Sequence, residues 1–106
     1  MVKKKAEVWK NRIVRTGMRA AKDFNFNPEN WRQHPESQRN AINDILSQIG
    51  WVQGVIVNIN SNLVIDGHAR IEEALAKNPD TPVPFVDVDL TKEEERLILL
   101  VLDPIG

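Results

Sequence analysis

Apolar residues change their spacing several times along this chain, and each change marks a predicted element. Val55-Ile56-Val57-Asn58-Ile59 is β-branched and nearly continuous, which predicts a strand. Asn60-Ser61-Asn62 reads as a turn, and Leu63-Val64-Ile65 returns as a second strand to give a hairpin. Val83 to Val88 predicts a third main strand. Ahead of the hairpin, Ile42, Ile45, Leu46 and Ile49 recur at helical spacing, with Pro35 suited to the first helical position and Gly50 to the stop. Ile71, Ala74 and Leu75 mark one face of a second helix that ends near Asn78-Pro79. Thr91 with Glu94 is a capping-box pattern opening a third.

Two stretches are less regular. Arg12-Ile13-Val14-Arg15 predicts a short edge strand ended by Gly17. Residues 25–35 are loop-like through Asn27-Pro28, Asn30 and His34-Pro35, with Trp31 expected to pin the loop to the core. The last helix is apolar all round from Leu97 to Leu102. It should therefore pack on two sides, or against a further part of a longer protein. The expected fold is a small α/β (α+β) domain, with a mixed sheet of about four strands flanked by three main helices.

Composition narrows the chemistry. The 106 residues suffice for one domain, and the absence of cysteine excludes disulfides, thiolate metal sites and a cysteine nucleophile. No apolar run reaches the length of a membrane span, so the expected location is the cytoplasm. Charge is more telling than its net value of -1. Residues 1–39 carry ten Lys and Arg against four acidic residues; the remainder carries four against eleven. A basic arm over residues 1–24 joined to an acidic body, residues 25–106, suits a polyanion such as DNA. A solvated tail, or attraction between the two parts, would use the same charges.

The most informative stretch is Asp66-Gly67-His68-Ala69-Arg70. Its glycine falls where a strand turns into a helix, so backbone amides and the positive end of the helix dipole meet there. That combination attracts phosphate, and Arg70, one turn in, can add a fork of donors. The ordinary alternative is a strand-to-helix joint, with Asp66 as N-cap, His68 as a polar first-turn residue and Arg70 paired to Asp66 or Glu73. A metal role for Asp66 and His68 needs further ligands that the sequence does not identify. Trp9, in the basic arm, is the tryptophan best placed to stack on a base; Trp51 is expected in the core. Glu93-Glu94-Glu95 reads as a solvated first turn favoured by the helix dipole.

The element order, together with three segments, resembles the ParB/sulfiredoxin superfamily. Asn27-Pro28 with Arg32 precedes a helix, as in the Asn-Pro entry of ParB-type domains. Ile49-Gly50-Trp51-Val52-Gln53-Gly54-Val55-Ile56-Val57 resembles their I-x-x-x-G-l-x-Q-P-I-x-V stretch. Ile65-Asp66-Gly67-His68-Ala69-Arg70 stands where ParB proteins have I-x-G-E-R-R and sulfiredoxins G-G-C-H-R. The fuller pattern, ending in Leu102-Asp103-Pro104, is similar to ParB-like N-terminal domains of phage and plasmid proteins, some fused to DNA methyltransferases.

The resemblance implies a nucleotide cradle, for ATP or CTP with Mg²⁺, made by Gly67, the amides of His68 and Ala69, and Arg70. Gln53 and Arg32 fall in matched segments and would line the same pocket. It also implies DNA as a ligand, and as partners an attached or separate methyltransferase or a second copy in a homodimer. Three departures limit what carries over. Sulfiredoxin's cysteine is His68 here, which excludes its reductase chemistry. The Glu and first Arg of ParB's G-E-R-R become His68 and Ala69, and its E-N-x-Q-R motif is largely lost around Leu102-Asp103-Pro104. ParB's helix-turn-helix would lie past Gly106. Three functions follow as expectations: phosphate binding at Gly67–Arg70, a metal-dependent nuclease or NTPase using Asp66, His68 or Asp103, and an interaction module docking through its last helix.

Overall fold

The computed structural model describes residues 6–28 and 35–102. Four strands, β1 (Ile13–Ala20), β2 (Val55–Asn58), β3 (Leu63–Asp66) and β4 (Pro82–Val88), form one mixed sheet in the order β1-β4-β2-β3. β1 runs antiparallel to β4, β2 antiparallel to β3, and β2 parallel to β4. Three helices complete the α+β fold: α1 (Glu36–Gln48), α2 (His68–Lys77) and α3 (Lys92–Leu102). The expected four strands and three helices are present.

The hairpin closes as its sequence dictates. Asn62 takes a positive φ of 58°, a conformation asparagine tolerates, and its N–H donates to the Asn58 carbonyl at 2.7 Å. α1 ends at Gly50, whose φ of 101° allows its N–H to reach back to Ile45 O at 3.1 Å. The capping box at α3 is reciprocal: Thr91 N–H donates to Glu94 Oε1 at 2.8 Å, and Glu94 N–H to Thr91 Oγ1 at 3.2 Å.

Each face of the sheet carries its own core. On one, Val55, Val57, Val64, Val83 and Phe85 pack with Ala21, Phe24 and the buried side of α2, Ile71 and Ala74, and Trp51 joins at the edge. On the other, Ile65, Leu90 and Leu99 meet, so α3 lies along β3.

Two expectations are corrected, and two helices expose apolar residues. β1 continues through Gly17 to Ala20, because that glycine sits opposite Phe85. A Cβ there would approach the Phe85 ring at 3.1 Å, so Gly17 is a packing device inside the strand and not its end. Pro35 is the N-cap of α1, one residue before the first helical position. α1 has the predicted apolar face, yet none of its residues is buried, and Ile45 and Ile49 are exposed. Of the two packings expected for α3, the two-sided one is not formed among the described residues: Leu99 is buried, whereas Leu97, Leu100 and Val101 face outward. Trp31 lies outside the described residues.

Candidate phosphate site

β3 delivers its last residue, Asp66, to a sharp turn at Gly67, and α2 begins at His68. Gly67, and not Asp66, is the N-cap; with φ 109° and ψ 15° it lies in the left-handed region. Space demands glycine as well. A Cβ at this position would stand 2.8 Å from Val55 Cγ2 and 3.1 Å from Arg70 Nη2.

Arg70 folds back over the turn. Its Nη1 donates to the Gln53 carbonyl at 2.7 Å, and Nη2 to Asp66 Oδ2 at 3.2 Å. The Gln53 side chain reaches the same Asp66 oxygen at 3.4 Å. Gln53, Gly67 and Arg70 are thus brought together as the sequence suggests. The amides expected to be open are instead covered, since residues 64–69 are buried and the guanidinium lies across the turn.

Electrostatics make this pairing strained. Burial raises the Asp66 pKa, and the Arg70 charge only partly opposes that rise. Burial also lowers the Arg70 pKa, against the pull of Asp66. In a strong ion pair both shifts would run the other way. Desolvation outweighs attraction here, which leaves a guanidinium that gains by meeting a better anion.

His68 departs from its expected role as a polar first-turn group. It is 1% exposed, its Nε2 accepts the Asn27 N–H at 3.1 Å, and its ring tilts against Phe26 at 5.5 Å between centroids. The imidazole ties the loop containing Asn27 to the start of α2, a structural duty. Ala69 is likewise buried, so its contribution to an anion site is its backbone alone. Arg32 and Asp103 lie outside the described residues. Among the described residues no three His, Asp or Glu side chains converge in a way that could hold a metal ion.

Among the described residues of the basic arm, four of the five cations are paired. Arg12 grips Glu94 with bonds of 2.7 and 2.6 Å, and Lys22 meets Asp80 at 2.7 Å. Arg15 and Arg19 both approach the buried Asp87, at 2.9 and 3.6 Å, while Arg19 also stacks over Phe85 at 4.2 Å. The charge asymmetry along the chain is therefore used internally, as one of the sequence alternatives had it. Trp9, by contrast, is 80% exposed.

Sequence reading missed a second polar centre. Glu95, expected in solvent, is buried at 7% exposure, and its Oε1 accepts from Asn58 Nδ2 at 3.1 Å and Ser61 Oγ at 2.5 Å. The one signal for it was Asn58, a polar residue interrupting an otherwise apolar strand.

Comparison with solved structures places this geometry. Residues covering 83% of the chain superpose on a C-terminally truncated chromosome-partitioning protein ParB from Caulobacter crescentus complexed with CTP-gamma-S, with a TM-score of 0.67 and 15% identity. A Pnob8-like ParB-N domain matches over 84% of the chain with a TM-score of 0.62 and 18% identity. The fold is that of ParB N-terminal domains. The chain spans 52% of the Caulobacter ParB chain and 37% of the Pnob8-like one. No protein-family model and no curated protein sequence matches it. Among the described residues no helix of this ParB-like domain is long and apolar enough to cross a membrane.

Proposed function

We propose that this ParB-like domain binds the phosphates of a nucleotide, CTP or ATP with Mg²⁺, at the turn between β3 and α2. Arg70 leaves Asp66 to take the phosphate, and Gly67 gives the anion access to the first amides of α2. One observation carries this reading: the guanidinium lies directly across a left-handed glycine at a helix start, held by the Gln53 carbonyl and by an Asp66 contact that burial disfavours on both sides. The CTP-gamma-S bound to the similar Caulobacter protein supports a nucleotide as ligand. Internal neutralisation of Arg12, Arg15, Arg19 and Lys22 favours a free nucleotide over the DNA backbone.

Thermal shift with CTP, ATP and duplex DNA, each with and without Mg²⁺, tests the assignment. A nucleotide should raise the melting temperature, and Arg70→Ala should abolish the rise while leaving the fold intact. A rise unchanged in that variant removes Arg70 from the site.

A second reading concerns α3. Its outward Leu97, Leu100 and Val101, exposed by 63%, 83% and 73%, suit a docking face for an attached or partner domain such as a DNA methyltransferase, or for a second copy. The nuclease reading gains no comparable support, because His68 is engaged in packing and the described carboxylates do not cluster.

A further inference from the structure

On the α3 side of β3 lies a cavity of about 260 Å³, lined by none of Gln53, Asp66, Gly67 or Arg70 and unused by the function proposed above. Its walls include Asn58, Ser61 and Leu63 from the hairpin and Lys92, Glu95 and Arg96 from α3, with the Asn27-Pro28 loop completing them. For scale, a cavity of about 150 Å³ holds benzene. The space therefore suits a small molecule.

The charges in it are not matched to one another. Glu95 is buried with Oε1 held by Asn58 and Ser61, while Oε2 receives no hydrogen bond among the described residues. Asn58 is itself fixed, donating to Leu90 O at 3.1 Å and accepting from Leu90 N–H at 3.1 Å. This carboxylate is thus pre-aimed by a rigid framework. Lys92 and Arg96, one helical turn apart on the same wall, are exposed and form no ion pair with it or with any other described residue. A buried acceptor and two unpaired cations facing one cavity, yet too far apart to pair, fit a ligand that bridges them.

We infer that this cavity binds a small zwitterion of the amino-acid class: an ammonium on Glu95 Oε2, an acidic group on Arg96 and Lys92, and an apolar body against Leu63. Both polar contacts are charge-assisted, and Arg96 can hold a carboxylate with two parallel bonds. Nucleic acid is the poorer fit, since the buried Glu95 carboxylate in the wall of the cavity repels a polyanion.

Two-dimensional amide NMR with free leucine as the probe tests this. Saturable shifts confined to residues 26–28, 58–63 and 92–96, with millimolar affinity, are expected. Isocaproate, which lacks the amine, and isoamylamine, which lacks the acid, should each bind at least about tenfold more weakly. Glu95→Gln keeps an oxygen for Asn58 and Ser61 but presents a donor to the ligand, so it should lose leucine while remaining folded. Arg96→Ala, a surface change, should weaken leucine similarly, and Arg70→Ala should leave it unaffected. Equal binding of all three probes, no saturation, or the same shifts produced by a single-stranded oligonucleotide in place of leucine would overturn the inference.

Discussion

Arg70 closes over Gly67, with its Nη2 only 3.1 Å from where a side chain at residue 67 would begin. The two residues therefore cannot vary independently. Gly67→Ala forces a left-handed alanine and a 2.8 Å clash with Val55, so a loss of about 2 kcal/mol or more is expected. Equilibrium denaturation measures it, and the same variant should weaken nucleotide binding by displacing the guanidinium.

Asp66 stands beside the proposed phosphate and opposes it. Asp66→Asn removes that charge, and at neutral pH it should tighten CTP binding by about fivefold, on the order of 1 kcal/mol at an intermediate dielectric. Isothermal calorimetry decides the matter; weaker binding would mean that Asp66 positions Arg70 for the ligand instead of competing with it. The pH trend has a definite sign. Because burial raises the Asp66 pKa above its ordinary 3.8, the native state takes up this proton more readily than the unfolded chain. The penalty for keeping Asp66 ionised is complete at neutral pH and is relieved as pH falls through the raised value. Asp66→Asn should flatten that acid-side gain in a denaturation series.

His68→Ala should behave as a core lesion. Removing a buried ring and the acceptor of the Asn27 N–H is expected to cost about 2–4 kcal/mol. A denaturation midpoint close to that of the parent protein would refute the structural role assigned to the imidazole.

Glu94 should titrate far below a free carboxylate. Its bond to Arg12, followed by the capping bond from the Thr91 N–H, lowers its pKa from 4.5 to about 2. A depressed carboxylate stabilises the fold fully above its unfolded value, and that contribution fades as pH drops from 4.5 towards 2. Carbon-detected NMR of the Glu94 side chain should give the low midpoint, and Arg12→Ala should return it towards the ordinary range.

Local signals in the sequence proved readable where the governing interaction is itself local. The Thr91–Glu94 box, the Gly50 stop and the Asn60–Asn62 turn each depend on atoms within a few residues, and each is in place. Gly17 was misread because its reason lies across the sheet in the Phe85 ring, a contact between residues far apart in the chain. The periodicity of α1 reported correctly that one face is apolar, but periodicity does not say that a neighbour covers it, and none of the helix is buried. At the candidate site, the sequence identified the glycine and the arginine correctly as neighbours. That the arginine would shield the amides, and that His68 would turn inward to Phe26, depended on packing with segments elsewhere in the chain.

The internal pairing of the basic strand makes β1 an integral wall of the domain. A shortened chain starting at Asn25 would strip β4 of its antiparallel neighbour and leave Asp87, 1% exposed, without either arginine. The uncovered backbone of β4 would then offer a long template for strand exchange between molecules, so such a truncation should be prone to aggregate.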